Sequence, residues 1–257
     1  MRRLSLALSA LVALLVLALS AQAATNPVVS AVKRSSDVRS SKLRMSVTIA
    51  GGGVRQTMSG TGAQAGGSVS LSMRMSVAGR PVKIDARLLE QNGSYVMFMR
   101  SPLFASQLPP GKKWVKIGLS AQAANAGIDF SSLVDTAQTL GPLEKGLVST
   151  TRLGRDTVAG QAATHYRAVV DLQRAARAIP AYGKQIAAVQ KATGLKLGRS
   201  TQHVWVGGDG RVRQIRSSTP TVVQGGDRAT ATQTITFLAY DVPVSITAPP
   251  AAQVFTP

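Results

Sequence analysis

The sequence contains two histidines, His165 and His203, which are its first candidates for chemistry. An imidazole acts as a general base or binds a metal when a second suitable group lies within reach. Asp171 follows His165 by six positions, so the two would share one face of a predicted strand at a separation of roughly 20 Å. We therefore interpret both histidines as structural or solvent-facing residues.

The other polar residues form no known catalytic or metal-binding pattern. The chain has no Cys, which excludes disulfides, thiolate metal sites and Cys nucleophiles. Its Asp and Glu together number only 11. Gly60, Gly62 and Gly66 lack the spacing of a dinucleotide-binding loop, and no helix is predicted to follow them. We predict that the protein is not an enzyme and that it uses no cofactor and no metal.

Two predicted strands carry an apolar stripe on one face, because apolar and polar residues alternate with a period of two. Methionine is flexible and polarizable, so a face rich in Met adapts well to an irregular guest. The stripe could line a cavity for an acyl chain, or it could be ordinary core. We take these eight residues as candidate cavity lining: Leu43, Met45, Val47, Val69, Leu71, Met73, Met75 and Val77.

The order of predicted elements is an opening helix, six strands, a helical stretch, two strands, a second helical stretch and four closing strands. The helical stretches are residues 120–147, interrupted at Gly141-Pro142, and residues 173–193, broken at Pro180 and ended by Gly194. Strands without regular βαβ alternation predict an α+β fold, in which helices gather on one face of an antiparallel sheet. The last predicted strand is Val244–Thr247.

The N-terminus has the pattern of a secretory signal peptide. Arg2 and Arg3 precede an apolar run, Leu4 to Leu19, and Ala21 and Ala23 are small residues that a signal peptidase recognises. We predict cleavage after Ala23, which makes residues 1–23 the signal peptide and residues 24–257 a single domain. Because no Cys follows the cleavage site, we expect an exported, soluble chain without a lipid anchor, in the periplasm or outside the cell.

The chain is strongly basic, with 30 Lys and Arg against 11 Asp and Glu and a formal net charge of +19. An export signal argues against nucleic acid as the partner. Such a field favours an anionic membrane surface or wall polymer instead. The alternative is that the dispersed charge only keeps the protein soluble or reflects the base composition of the source genome.

Several segments resemble the envelope lipoproteins of the LppX/LprA/LprF/LprG family, which have a LolA-like fold. The resemblance rests on residues 108–117 (LPPGKKWVKI), 158–160 with 163–166, 204–206 with 209–212, and 241–250 (DVPVSITAPP). It implies a half-open antiparallel β-barrel with helices packed across its concave face, enclosing a cavity for acyl chains. The family usually has a lipobox Cys, which this chain lacks.

The resemblance and the stripe together predict a non-enzymatic carrier that moves lipids or lipoglycans within the cell envelope by binding their acyl chains. The alternative is an envelope interaction protein or stress sensor that uses the same fold to bind another protein. That alternative predicts a well-packed interior and an exposed apolar patch. We expect a monomer in either case.

Overall fold

The computed structural model describes residues 26–77, 79–91, 94–118, 136–222 and 226–257. The predicted signal peptide, residues 1–23, lies outside the described residues. So does most of the helical stretch predicted at residues 120–147.

Within the described ranges, twelve strands form one open sheet in the order β12-β6-β5-β4-β3-β2-β1-β11-β10-β9-β8-β7. All neighbouring pairs are antiparallel except β12 and β6, which are parallel. The strands are β1 Ser40–Gly51, β2 Val54–Ala65, β3 Ser68–Val77, β4 Arg80–Gln91, β5 Ser94–Arg100, β6 Trp114–Gly118, β7 Leu147–Val158, β8 Gln161–Asp171, β9 Arg199–Gly207, β10 Val212–Val222, β11 Arg228–Tyr240 and β12 Val254–Phe255. The α+β prediction of a half-open antiparallel barrel is confirmed.

The part of the chain that the structure describes contains four α-helices beside the sheet, and two short 3₁₀ helices at Pro102–Gln107 and Ala251–Gln253. The α-helices are α1 Pro27–Ser36, α2 Thr136–Gly146, α3 Leu172–Ala178 and α4 Pro180–Thr193. The break at Pro180 and the stop at Gly194 are confirmed, and Gly194 adopts the left-handed conformation (φ 68°) of a helix C-terminus.

The predicted interruption at Gly141-Pro142 is wrong, because α2 continues through both residues. Leu140 and Leu143, which flank this pair, are buried in the main core. Their packing offsets the hydrogen bond that Pro142 cannot donate.

The helices pack on one face of the sheet, which we call the inner face, over strands β8 to β11. Val28 and Val32 of α1, Leu140 of α2 and Ile186 of α4 belong to the same buried cluster as Val204 and Phe237 of the sheet. Burial of this cluster is the main force that holds the helices to the sheet, because each fully buried aliphatic side chain contributes about 1.5–3 kcal/mol.

The C-terminal segment crosses the other face, which we call the outer face. The predicted strand Val244–Thr247 is wrong: the segment forms no ladder, although Val244 and Ile246 are half-buried and their neighbours exposed. Pro243, Pro249 and Pro250 cannot donate to a ladder. Ile246 packs instead against Leu89, Phe98 and Trp114 on the outer face.

Candidate ligand cavity

A cavity of about 370 Å³ lies on the inner face, between helices α2 and α4 and strands β9 to β11. This volume falls within the range of small-molecule sites, roughly 300–1,000 Å³. The residues that line it are Pro142, Leu143, Leu172, Tyr182, Gln185, Ile186, Leu197, Ser200, Gln202, Ile215, Ser217, Thr219, Gln233 and Ile235.

The cavity is amphipathic, and the described residues that line it include no charged side chain. The helices and the strands both contribute aliphatic side chains, such as Ile186 of α4 and Ile215 of β10. A polar row crosses the sheet beside them, because Ser217 pairs with both Gln202 and Gln233. Burial raises the pKa of Tyr182 in the wall, so its hydroxyl stays neutral and available for hydrogen bonding. The arrangement suits an apolar ligand that carries uncharged polar groups.

The predicted apolar stripe borders this cavity but does not line it. None of the eight predicted residues is among the lining residues. Met45 of β1 pairs with Ile235, and Val47 pairs with Gln233, so both lie directly beside the cavity on the same face. Across β2, Met73 pairs with Gly60 and Met75 with Met58. The inner face is therefore continuous from the cavity to strand β3.

Two glycines of β2 bring the stripes of β1 and β3 together. A Cβ at Gly62 would lie 2.7 Å from Cδ2 of Leu71 and 3.2 Å from Cδ1 of Leu43, so these leucines close over the glycine. A Cβ at Gly60 would lie 2.8 Å from Sδ of Met73. Leu43 also reaches the main core. Both leucines contribute to a second cavity, which opens on the outer face.

The other predicted residues differ in burial. Val69 is 5% exposed and packs with Leu88 in a small cluster that Leu71 joins. Met45, Val47, Met73 and Met75 are half-buried. Val77, at the end of β3, is 38% exposed. Leu43 and Leu71 are half-buried as well, but they line the outer-face cavity. Met45, Val47, Met73 and Met75 are therefore the half-buried residues placed to extend the inner cavity.

The two histidines lie together on the outer face, away from the cavity. Nε2 of His165 lies 2.8 Å from Nδ1 of His203. His165 stacks on Trp205 at 4.2 Å between ring centroids, and the indole Nε1 of Trp205 donates to Oδ2 of Asp156. Among the described residues, no three His, Cys, Asp or Glu side chains converge as metal ligands would.

Sequence reasoning missed both the cavity lining and the histidine pair. The polar row of Gln202, Ser217 and Gln233 has no signature within one strand, since it arises only when three strands pair. A weak signal exists in β10, where Ile215, Ser217 and Thr219 are half-buried and alternate with the exposed residues Arg216, Ser218 and Pro220. This alternation indicates that the three residues share the inner face, although only one of them is apolar.

No helix in the described part of the chain combines the length and apolar composition needed to cross a membrane.

The sequence matches no model of a known protein family and no curated protein. Solved structures do match, at low sequence identity. LprF from Mycobacterium bovis superposes with a TM-score of 0.51 and 15% identity, covering 87% of this chain and 95% of LprF.

Two further structures match less well. The Mycobacterium tuberculosis lipoprotein LppX has a TM-score of 0.43 and 11% identity, covering 87% of this chain and 100% of LppX. The MucA/MucB complex of Pseudomonas aeruginosa gives 0.34 and 13%, covering 88% of this chain and 59% of the matched chain. The match to LprF is the one that identifies the architecture: this chain has the LolA-like fold.

Proposed function

We propose that the protein is a non-enzymatic, exported carrier that binds acyl chains of lipids or lipoglycans and moves them within the cell envelope. The observation that carries the proposal is the cavity of about 370 Å³ between the helices and the sheet, whose described lining residues carry no charge. Such a site would bind an acyl chain through the hydrophobic effect, at about 0.8 kcal/mol for each buried methylene group.

The Met-rich stripe would extend this site. A chain longer than the cavity would leave it past Ile235 and cross Met45 and Val47, which are the next residues on the inner face. Met73 and Met75 lie beyond β2 and are only half-buried. Because Met side chains adapt to irregular shapes, this surface would accept chains of different length and branching. Leu43, Val69, Leu71 and Val77, the other four predicted stripe residues, are proposed as the border of this binding surface.

The proposed carrier acts outside the cytoplasm and at anionic membrane surfaces. The signal-peptide pattern of residues 1–23 supports export, with residues 24–257 as the mature, monomeric unit. The excess of 30 basic over 11 acidic residues would attract the carrier to anionic membrane surfaces, where it would load or release its lipid. The LolA-like fold, shared with LprF, is compatible with this role.

The test uses neighbouring serines that point to opposite faces of β10. Ser217 lines the cavity, whereas Ser218 is exposed on the outer face, where its hydroxyl lies 3.0 Å from that of Thr232. Ser217→Phe would fill the cavity, and Ser218→Phe adds the same side chain outside it. We expect Ser217→Phe to weaken uptake of a fluorescent fatty acid by about tenfold or more, and Ser218→Phe to leave it unchanged.

Native mass spectrometry of the purified protein, with organic extraction of any bound mass, provides the second measurement. A carrier should retain lipid after gentle purification, and the Ser217→Phe variant should retain less. An apo mass for the wild-type protein, together with no uptake of the acyl probe, would refute the proposal. Equal loss in both Phe variants would mean that the cavity is not the binding site.

A further inference from the structure

The outer face carries two adjoining cavities at the end of the sheet that lies away from the helices. Their volumes are about 390 and 340 Å³, and they share two lining residues, Asp85 and Arg100. Ser72, Asp85 and Arg100 pair across β3, β4 and β5. They alternate with Leu71 and Ala86, whose side chains belong to the inner face although both residues also border the first cavity. Since successive side chains point to opposite faces, these cavities open away from the acyl site.

Basic side chains dominate the lining of both cavities. We call this pair of cavities the basic cleft, defined by Lys42, Lys83, Arg87, Arg100, Lys112 and Lys113. Among the described residues that line the two cavities, Asp85 is the only acidic one. It forms ion pairs with Arg100 at 2.7 Å and with Lys83 at 3.3 Å. Most of the positive charge in the cleft is therefore not neutralised by its own lining.

Two arginines of the cleft are held in fixed positions. Nε and Nη2 of Arg100 donate to Oδ2 of Asp85 at 3.1 and 2.7 Å, and Nη1 of Arg87 donates to the carbonyl oxygen of Thr247 at 2.8 Å. Both guanidinium groups lie over the ring of Trp114, at 5.0 Å for Arg87 and 4.8 Å for Arg100. Trp114 itself is buried, with 3% exposure. An anion that binds here would meet donors that are already ordered, which lowers the entropic cost of binding.

The second cavity adds two lysines from a loop. Lys112 and Lys113 follow the turn at Pro109–Gly111, and the backbone of Lys113 is anchored by donating to the carbonyl oxygen of Gln253. Leu108 and Pro102 add apolar surface to the lining of the same cavity. The ammonium groups can follow an anion because they end flexible stems, while the loop keeps them at the mouth of the cleft.

We propose that the basic cleft binds a phosphate-bearing anion, with Arg87 and Arg100 as its ordered donors and Lys112 and Lys113 as its mobile ones. Each guanidinium group has five N–H donors, so Arg100 bound to Asp85 and Arg87 bound to Thr247 both keep further donors for phosphate oxygens. Their shared contact with the indole of Trp114 holds these donors in place. The two adjoining cavities suit a ligand with more than one phosphate. The inference rests on the proposed attraction to anionic surfaces and does not depend on acyl binding.

The test compares variants that lose the same charge in different places. Arg87→Gln/Arg100→Gln and Lys112→Gln/Lys113→Gln remove two charges from the cleft. Arg152→Gln/Arg155→Gln removes two from exposed positions on the opposite edge strand, β7. Two probes are used. Binding of inorganic tripolyphosphate is measured by calorimetry, and binding to vesicles of phosphatidylglycerol and phosphatidylcholine is measured by co-sedimentation. We expect both cleft variants to weaken binding about tenfold or more and the control by less than about twofold.

Each outcome has a defined meaning. Binding of the vesicles but not of tripolyphosphate, lost in the cleft variants, supports the proposal with a lipid head group as the ligand; the reverse supports it with a soluble phosphate compound. Equal weakening in the β7 control, or no binding of either probe by the wild-type protein, overturns it. The Lys112/Lys113 variant keeps the result interpretable if loss of the Trp114 contacts unfolds the Arg variant. Uptake of the acyl probe, measured on the same variants, separates failure of this inference from failure of the carrier proposal.

Discussion

Nε2 of His165 and Nδ1 of His203 lie 2.8 Å apart on the outer face of strands β8 and β9. This contact requires one ring to donate and the other to accept, so at least one imidazole must be neutral. The surroundings favour the neutral form. Arg216 acts on both rings and Arg167 on His203, and only Asp156, near His165, favours a charge.

The stability of the protein should fall as the pH drops below the ordinary histidine pKa of 6.5. Burial, followed by the nearby arginines, lowers the pKa of both His165 and His203 in the folded state. Between this lowered pKa and 6.5 the unfolded chain takes up protons that the folded chain does not bind, so the free energy of unfolding decreases with falling pH. Urea unfolding at pH values of about 7.5 and 5.5 measures the difference.

His203→Gln provides the matched control for this pH dependence, because Gln keeps a hydrogen-bonding group without titrating. We expect the variant to lose a large part of the decrease between the two pH values. The lowered pKa values of Asp85, Asp156, Asp171 and Asp241 do not interfere, since their contribution is lost only as the pH falls below 3.8. An unchanged decrease in the variant would show that the histidine pair does not cause it.

Ser35 should contribute to stability through one buried hydroxyl that joins α1 to β10. Its Oγ donates to the carbonyl oxygen of Ala31 and accepts from the backbone N–H of Val212, both at 2.8 Å. Ser35→Ala would leave the Val212 N–H buried without a partner, at a cost of about 1–3 kcal/mol in the free energy of unfolding. Ser36→Ala is the control, since the Ser36 hydroxyl only bonds within its own helix. Urea unfolding of both variants checks the prediction, and equal stability would contradict it.

Gly60 should be intolerant of a side chain because strands β2 and β3 approach closely there. A Cβ at this position would lie 2.5 Å from the carbonyl oxygen of Ser72, which is backbone and cannot move aside. We expect Gly60→Ala to lower the free energy of unfolding by about 1–3 kcal/mol. Gly118→Ala, in β6, has no atom within 4 Å of the new Cβ, and it should change stability little. Thermal unfolding distinguishes the two, and similar midpoints would contradict the assigned packing.

Local patterns predicted the strands well because the alternation of side chains is a property of each strand by itself. The eight stripe residues were predicted from their alternation to lie on two strands, and they lie on β1 and β3. The segment from Val244 to Thr247 shows the limit of that signal. Its burial alternates as in a strand, but the neighbouring prolines and its position across the outer face leave it without a ladder.

The sites were harder to predict because they depend on the pairing of distant strands. His165 and His203 are separated by 38 positions and meet only through the register of β8 and β9. The stripe containing Met45 was found from its alternation, and its neighbour Ile235 was not recognised as part of the same surface. The pairing of β1 with β11 joins the two ends of the chain, and no short-range pattern encodes it.

The proposed extension of the cavity onto the stripe can be tested at Met45, whose inner-face position beside Ile235 makes it the first stripe residue outside the cavity. Met45→Lys would place a charge where an acyl chain is proposed to lie, whereas Ser46→Lys places it on the outer face opposite Thr234. Because desolvating a charge is costly, we expect Met45→Lys to reduce uptake of a long-chain fluorescent fatty acid by about tenfold or more, and Ser46→Lys to leave it unchanged. A short-chain probe that fits within the cavity should be affected less by Met45→Lys. If a folded Met45→Lys variant takes up the long-chain probe as well as the wild-type protein does, the binding site is confined to the cavity and does not include the stripe.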